Sequence, residues 1–352
     1  MAERWNVDHL TEAWAARGLS RRDLMRLLAA GAGASALMTL IATPTLEAAR
    51  QATPAAGGGQ VSMLWTKPTT LHPLFSTAGF EQQVERLMFG ALIKMTDQLE
   101  QVPDLAETVE VSPDATVYTF TLREGLTFND GTPLTTQDVI FTIERAVDSR
   151  AGAYWRGRLI GIAGAEAYGS QQAETITGLE AVDERTLRIT LAAPDSAFLP
   201  NIGNFSGLGI LPAHILRDVA PDQLRTHSFA LNPTVTAGAF QFVRYETDQF
   251  LELARNPTYV GSPAIIERLF LRILLPDVAL AELESGGLDL MSVAFDDMER
   301  LETIPSLTVV SVPSPSMDSI SVNLDRPYFQ DKRIRQAMMY ALDRETIVAQ
   351  LY

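Results

Sequence analysis

The chain has no cysteine in 352 residues, which excludes disulfides, thiol catalysis, thiolate metal sites and a cysteine-linked lipid anchor. Histidine is scarce: His9, His72, His214 and His227 are scattered, with no His-x-x-x-His pair to seat a metal. Positive charge is short as well. With 28 Lys and Arg against 43 Asp and Glu, the formal net charge is −15, and a nucleic-acid partner, which needs a basic face, is not expected. The uncharged run 27–42 is shorter than the roughly 20 residues a spanning helix needs. Catalytic motifs are missing too: neither G-x-S-x-G nor H-E-x-x-H occurs. Ser206 lacks the first glycine of a nucleophile elbow, and the adjacent Asp296 and Asp297 do not converge on one point in a helix or strand. The expectation is a protein that is not an enzyme and carries no cofactor.

What is present reads as an ordinary globular chain. Apolar residues make up 46% and charged residues 20%, and the length allows two or more domains with a sizeable core. The most informative stretch is 103–147. Val117, Thr119 and Thr121 alternate with Tyr118, Phe120 and Leu122, the period of a half-buried strand. Asn129-Asp130-Gly131 predicts a tight turn. Thr135 stands three residues before Asp138, a capping box with Asp in place of Glu, and Val139, Ile140, Ile143 and Val147 give the following helix an apolar stripe.

Further strands are predicted at 60–65, as a pair of strands around an Asp-Glu turn within 179–191, and at 320–324. A helical stripe runs through Val84, Leu87, Met88, Ala91 and Leu92. Residues 149–169, rich in glycine, predict an irregular loop. Near the end, Ile334, Ala337, Met338 and Ala341 share a helix face, and Asp343 is placed to cap another helix.

Residues 20–26, Ser-Arg-Arg-Asp-Leu-Met-Arg, resemble the twin-arginine export motif, with Arg21 and Arg22 as the pair. The uncharged run and a small-residue tail complete the three parts of a signal peptide over 1–48, with 49–60 as linker. Inside that run Gly31-Ala32-Gly33-Ala34-Ser35-Ala36 formally fits a dinucleotide fingerprint, but no strand precedes it and no acid follows at the required place. The match is noise.

Leu105-Ala106-Glu107, Tyr118-Thr119-Phe120, Leu122-Arg123, Phe128, Asp130-Gly131 and Asp138-Val139 fall in order on a signature of the family-5 extracytoplasmic solute-binding proteins of peptide and nickel ABC importers, which the chain resembles. Leu71-His72-Pro73 stands where the family carries Leu-Asp/Asn-Pro, and Arg255-Asn256-Pro257-Thr258-Tyr259 is similar to another of its segments. Asn323, Pro327, Phe329, Asp331, Arg335-Gln336-Ala337 and Asp343-Arg344-Glu345 resemble a second signature.

The resemblance implies an α/β, type II periplasmic-binding-protein fold: two lobes with mixed sheets joined by a hinge. Lobe I would span 61–262, with a smaller inserted subdomain at about 81–178, and 263–352 would open a truncated lobe II. It also implies export to the periplasm or the outer face of the membrane, through the twin-arginine translocase. The implied ligand is a peptide and the partners are permease subunits. Nickel chelates, oligosaccharides, or a membrane-tethered sensor or chaperone role are the alternatives. Segments matching the family's cleft-facing parts put forward Ser76, Thr77 and Phe80 after the first strand, Tyr154 and Trp155 in the glycine-rich loop, and Ser316, Asp318, Ser319 and Ser321 at the crossing toward the second lobe. The acid that meets a peptide's amino terminus is expected beyond Tyr352.

Overall fold

A computed structural model describes residues 58–96, 100–203, 207–310 and 319–351. The export segment with Arg21 and Arg22, nearly all of the linker, and Ser206, Ser316 and Asp318 lie outside the described residues. Among those described, no helix is long and apolar enough to cross a membrane.

Two four-stranded sheets organise the chain. The first contains β1 (Gln60–Trp65), β8 (Phe240–Glu246), β9 (Phe250–Arg255) and β10 (Arg268–Ile273) in the order β1-β10-β9-β8, with β1 and β10 parallel and the other pairs antiparallel. The second contains β4 (Ala106–Val111), β5 (Val117–Leu122), β6 (Leu179–Ala181) and β7 (Thr186–Thr190) in the order β4-β5-β7-β6, all antiparallel. A short pair, β2 (Ile93–Met95) and β3 (Gln101–Pro103), leads from one to the other.

The 103–147 unit forms as its residues dictate. Tyr118, Phe120 and Leu122 are buried while Val117, Thr119 and Thr121 are half-buried. Gly131 adopts φ 87°, a left-handed turn conformation that glycine takes without steric cost. Helix α2 (Thr136–Val147) starts on a complete capping box: the Thr135 side chain accepts from the backbone, and Asp138 accepts from Thr135 N at 2.9 Å.

Helix α1 (Gly79–Met88) is shorter than the apolar stripe suggested. It ends at Met88, and Ala91 and Leu92 are buried in extended chain instead. The reason is close packing at Gly90, where a Cβ would come within 2.6 Å of the Leu105 side chain. Gly238 is equally tight, its absent Cβ falling 2.4 Å from Leu87 O, so β8 can start directly against the end of α1. The 149–169 loop contains two short helices, α3 (Arg156–Leu159) and α4 (Ala165–Gly169). Two more, α5 (Phe198–Ile202) and α6 (Ala213–Leu216), lead back toward the first sheet.

The boundary expected at residue 262 falls within the first sheet rather than at its edge, because β10 pairs with both β1 and β9. After β10 the chain forms α7 (Pro276–Ser285), turns at Gly286 with φ 80°, and returns beside the free edge of β1, where Leu64 N donates to Leu290 O at 3.0 Å. Ala279, Leu283, Leu288, Met291 and Leu301, the last from α8 (Phe295–Glu302), bury a small core of their own against Leu64. Residues up to 310 thus cover the first sheet. Likewise the smaller subdomain's sheet continues to Thr190, past the expected limit near 178.

The strand expected at 320–324 is absent. Ile320 and Leu324 are exposed, and among the described residues no strand supplies the pairing a strand requires. The helices α9 (Pro327–Gln330), α10 (Lys332–Ala341) and α11 (Arg344–Leu351) do form. Asp331 caps α10 by accepting from Arg333 N at 2.8 Å, and Asp343 caps α11 by accepting from Thr346 N at 3.0 Å. Neither α9 nor α10 buries a side chain, so the predicted apolar face of α10 looks outward.

Candidate functional site

The loop after β1 is tied down by several hydrogen bonds, and its anchor is a carboxylate. Glu81, in the first turn of α1, is 1% exposed. Its Oε1 accepts from Thr69 N at 2.5 Å, Thr69 Oγ1 at 2.8 Å and Thr70 N at 3.2 Å, and its Oε2 accepts from Ser76 Oγ at 3.3 Å. A negative charge at that turn also meets the positive end of the helix dipole. One turn on, Glu85 is equally buried, with no partner for Oε1. Burial, reinforced by the Glu81 charge and opposed by a hydrogen bond from Ser76, pushes its carboxyl well above the usual range.

His72 occupies the centre of the loop, fully buried between Phe75 and Phe229, with ring centroids 4.7 and 5.7 Å away. Its Nδ1 accepts from Leu74 N at 3.3 Å. That is the bond an Asp or Asn makes in an Asx turn, to the backbone two residues on. It explains how histidine stands where the resembled family carries Asp or Asn. His227 repeats the device, accepting from Phe229 N at 3.3 Å.

Burial first, then the nearby His227 and Arg225, lower the His72 pKa to about 3. The folded value lies below the ordinary 6.5, so the stability it contributes is present above pH 6.5 and is lost as pH falls toward 3. His72→Asn keeps the turn and removes that loss. Its acid-unfolding curve between those pH values is expected to be shallower than the wild type's, as followed by circular dichroism.

The loop lies between two others. On one side Leu71 N donates to Ala230 O at 2.6 Å. On the other, Trp155 Nε1 donates to Pro73 O at 2.9 Å and Tyr154 N to Leu74 O at 2.9 Å. The segments 69–77, 151–155 and 225–230 therefore form one surface.

That surface brings together five of the residues put forward from the sequence, in different roles. Ser76 and Trp155 are buried and hold the loops, Thr77 and Tyr154 are exposed, and Phe80 is half-buried beneath the Trp65 indole, whose Nε1 donates to Phe80 O at 3.0 Å. Ser319 and Ser321 are exposed and make no hydrogen bond to these loops among the described residues. Sequence reading missed Glu81 and Glu85. Their signal was available: with Val84 and Met88 they stand at i, i+4, i+3 and i+7, which places both carboxyls on the apolar face of α1.

Among the described residues no group of three or more His, Cys, Asp or Glu could hold a metal ion. A small apolar cavity lies elsewhere, among Leu92, Val139, Ile143, Phe198 and Ile210.

Residues 100–352 match the model of the bacterial extracellular solute-binding proteins, family 5 (middle region), and the chain belongs to that family, one of binding proteins rather than enzymes. A Brucella ovis protein described as an ABC transporter peptide-binding protein is 31% identical over 283 residues, which cover 80% of this chain and 50% of that one. The oligopeptide-binding protein AppA of Bacillus subtilis is 26% identical over 303 residues, 85% of this chain and 52% of AppA. The chain thus spans about half the length of these relatives.

The structure of AppA with a nonapeptide superposes with a TM-score of 0.70 at 24% identity, covering 83% of this chain and 55% of AppA. The Listeria monocytogenes ABC transporter substrate-binding protein CtaP gives 0.69 at 25%, covering 84% and 57%. NikZ of Campylobacter jejuni, solved with Ni(L-His), gives 0.67 at 24%, covering 83% and 55%. The fold is that of the type II periplasmic binding proteins.

Proposed function

We propose that the chain serves in the substrate-binding component of an ABC importer, capturing di- or oligopeptides outside the cytoplasmic membrane and passing them to permease subunits. The observation that supports this reading most is family membership across residues 100–352, together with relatives described as peptide-binding. Capture would occur where the 69–77 and 151–155 loops face a second lobe, with Thr77, Phe80 and Tyr154 toward the solute and Ser316, Asp318, Ser319 and Ser321 on the crossing segment. Ser76 and Trp155 would hold the loops in place. The second lobe would follow the first sheet, and closure would be a hinge motion stabilised by bonds made only when the solute is enclosed. Export through the twin-arginine translocase, read by Arg21 and Arg22, would bring the protein to that compartment.

A peptide is favoured over a nickel chelate because the relatives similar in sequence are described as peptide-binding. Native mass spectrometry of the protein purified from its exported location tests the reading. Co-purifying peptides of mixed sequence are expected. A uniform non-peptide adduct, such as a nickel complex or a bile acid, would overturn it.

A further inference from the structure

Two carboxyls one helical turn apart, Glu81 and Glu85 of α1, are buried beside the 69–77 loop, 1% and 2% exposed. Their surroundings assign them different charges. Glu81 accepts from Thr69 N, Thr69 Oγ1, Thr70 N and Ser76 Oγ, a donor set that satisfies an ionised carboxylate. Glu85 Oε1 has no partner, and the groups acting on Glu85 are the Glu81 carboxylate and the Ser76 hydroxyl, neither of them a cation. A carboxyl buried in this way keeps its proton, because the unpaired charge costs far more than the neutral acid. Ser76 connects the two. Its hydroxyl lies against both carboxyls and has one proton to give. While Glu85 is neutral, the hydroxyl can accept from it and donate to Glu81. Once Glu85 ionises, two carboxylates compete for that one proton.

We propose that Glu81, Ser76 and Glu85 form a proton-operated latch: with Glu85 protonated the 69–77 loop is closed on α1, and loss of that proton to solvent releases the loop together with the 151–155 segment. Release follows from the cost of a second buried negative charge one turn from the first. Hydration relieves it, and water reaches Glu85 only if the loop lifts. The 151–155 segment moves with the loop because Trp155 Nε1 donates to Pro73 O and Tyr154 N to Leu74 O, both at 2.9 Å. Burial, then Glu81, hold the Glu85 carboxyl well above 4.5, so release lies on the alkaline side of the ordinary carboxylate range. The other charged or titratable groups nearby do not reverse that sign. His72, with a pKa of about 3, is neutral throughout, and Arg225, stacked on Phe75, stays charged. Arg86 donates to Met95 O at 2.7 Å, and Arg244 of β8 pairs with Glu252 at 2.8 Å. Thr77 and Tyr154 are exposed on the two linked segments. Resting on the peptide-capture reading, the latch therefore makes capture tighter at lower pH, with proton uptake on binding wherever Glu85 is ionised in the free protein.

Hydrogen exchange of the full chain from pH 5 to 9, corrected for the intrinsic rate, tests the latch. The Tyr154 amide should lose at least about tenfold in protection over that range, while the amides of β5 in the second sheet stay protected. Glu85→Gln should hold Tyr154 at its low-pH protection throughout. Glu81→Gln, which removes the like charge, should move the loss to lower pH, a shift that a merely structural role would not produce. Protection of Tyr154 that stays flat in the wild type, or falls equally in Glu85→Gln, would overturn the proposal. So would a loss shared in step by β5, which would mean global unfolding. Calorimetry with tri-alanine reads the link to capture: tighter binding at pH 5 than at pH 9 is expected for the wild type and not for Glu85→Gln. Equal affinity at both pH values would overturn that link, and binding at neither would overturn the peptide reading while leaving the latch standing.

Discussion

Glu81→Ala should lower the unfolding free energy by about 3 kcal/mol, since buried donors left without an acceptor cost about 1–3 kcal/mol each and water entering the vacated space recovers part of that. The donors are Thr69 N, Thr69 Oγ1, Thr70 N and Ser76 Oγ, the first three all on Oε1. Glu81→Gln separates geometry from charge. Its amide oxygen can take the place of Oε1 and keep those three bonds, while its nitrogen faces Ser76, so a loss of about 1 kcal/mol is expected.

Urea unfolding of both variants measures these differences, and an alanine variant as stable as the wild type would show that the loop does not depend on the carboxylate. A second readout localises the effect. Tyr154 N donates to Leu74 O, so hydrogen exchange at Tyr154 should accelerate in Glu81→Ala although the two residues share no bond. Unchanged protection there would mean that Glu81 does not position the 151–155 loop.

Glu81 also marks the limit of what the sequence makes legible. Local periodicity gave the 117–122 strand and the capped helix 136–147 because each depends on near neighbours: an alternating face, and Thr135 with Asp138. The place of β10 was not legible, since pairing a strand with β1 from more than 200 residues away depends on chain topology rather than on any local pattern. The strand expected at 320–324 shows the converse. Alternating apolar residues state a preference, but a strand exists only where another strand meets its hydrogen-bonding groups.

The candidate site shows a related limit. Family-like segments pointed to loops, but side chains on them divide into those that hold the loop and those that face outward, and that division is set by packing. Ser76 and Trp155 are buried for the first purpose, while Thr77 and Tyr154 are exposed.

Glu85 is where stability should depend most steeply on alkaline conditions. Its folded carboxyl is held well above the ordinary 4.5, first by burial and then by Glu81. A group raised in this way contributes stability that is fully present below 4.5, where both folded and unfolded chains hold the proton. As pH rises the unfolded chain ionises first, and stability falls by up to about 1.4 kcal/mol per pH unit until the folded carboxyl also titrates. Glu85→Gln retains a neutral amide of the same shape and cannot ionise, so the variant should match the wild type near pH 4 and exceed it increasingly above pH 5. Urea midpoints of the pair across pH 4 to 8 measure the difference, in which other titrating groups cancel.

Glu81 on its own helix and the Ser76 hydroxyl from the loop face Glu85, which gives a sharper form of the same test. In a Glu81→Gln background the like charge is gone and burial is opposed only by the Ser76 hydroxyl, so the divergence should begin at the same pH and level off sooner. A wild type and Glu85→Gln that stay parallel over the whole range would show that the buried carboxyl finds a cation or water in solution, and the loop would then be anchored by Glu81 alone.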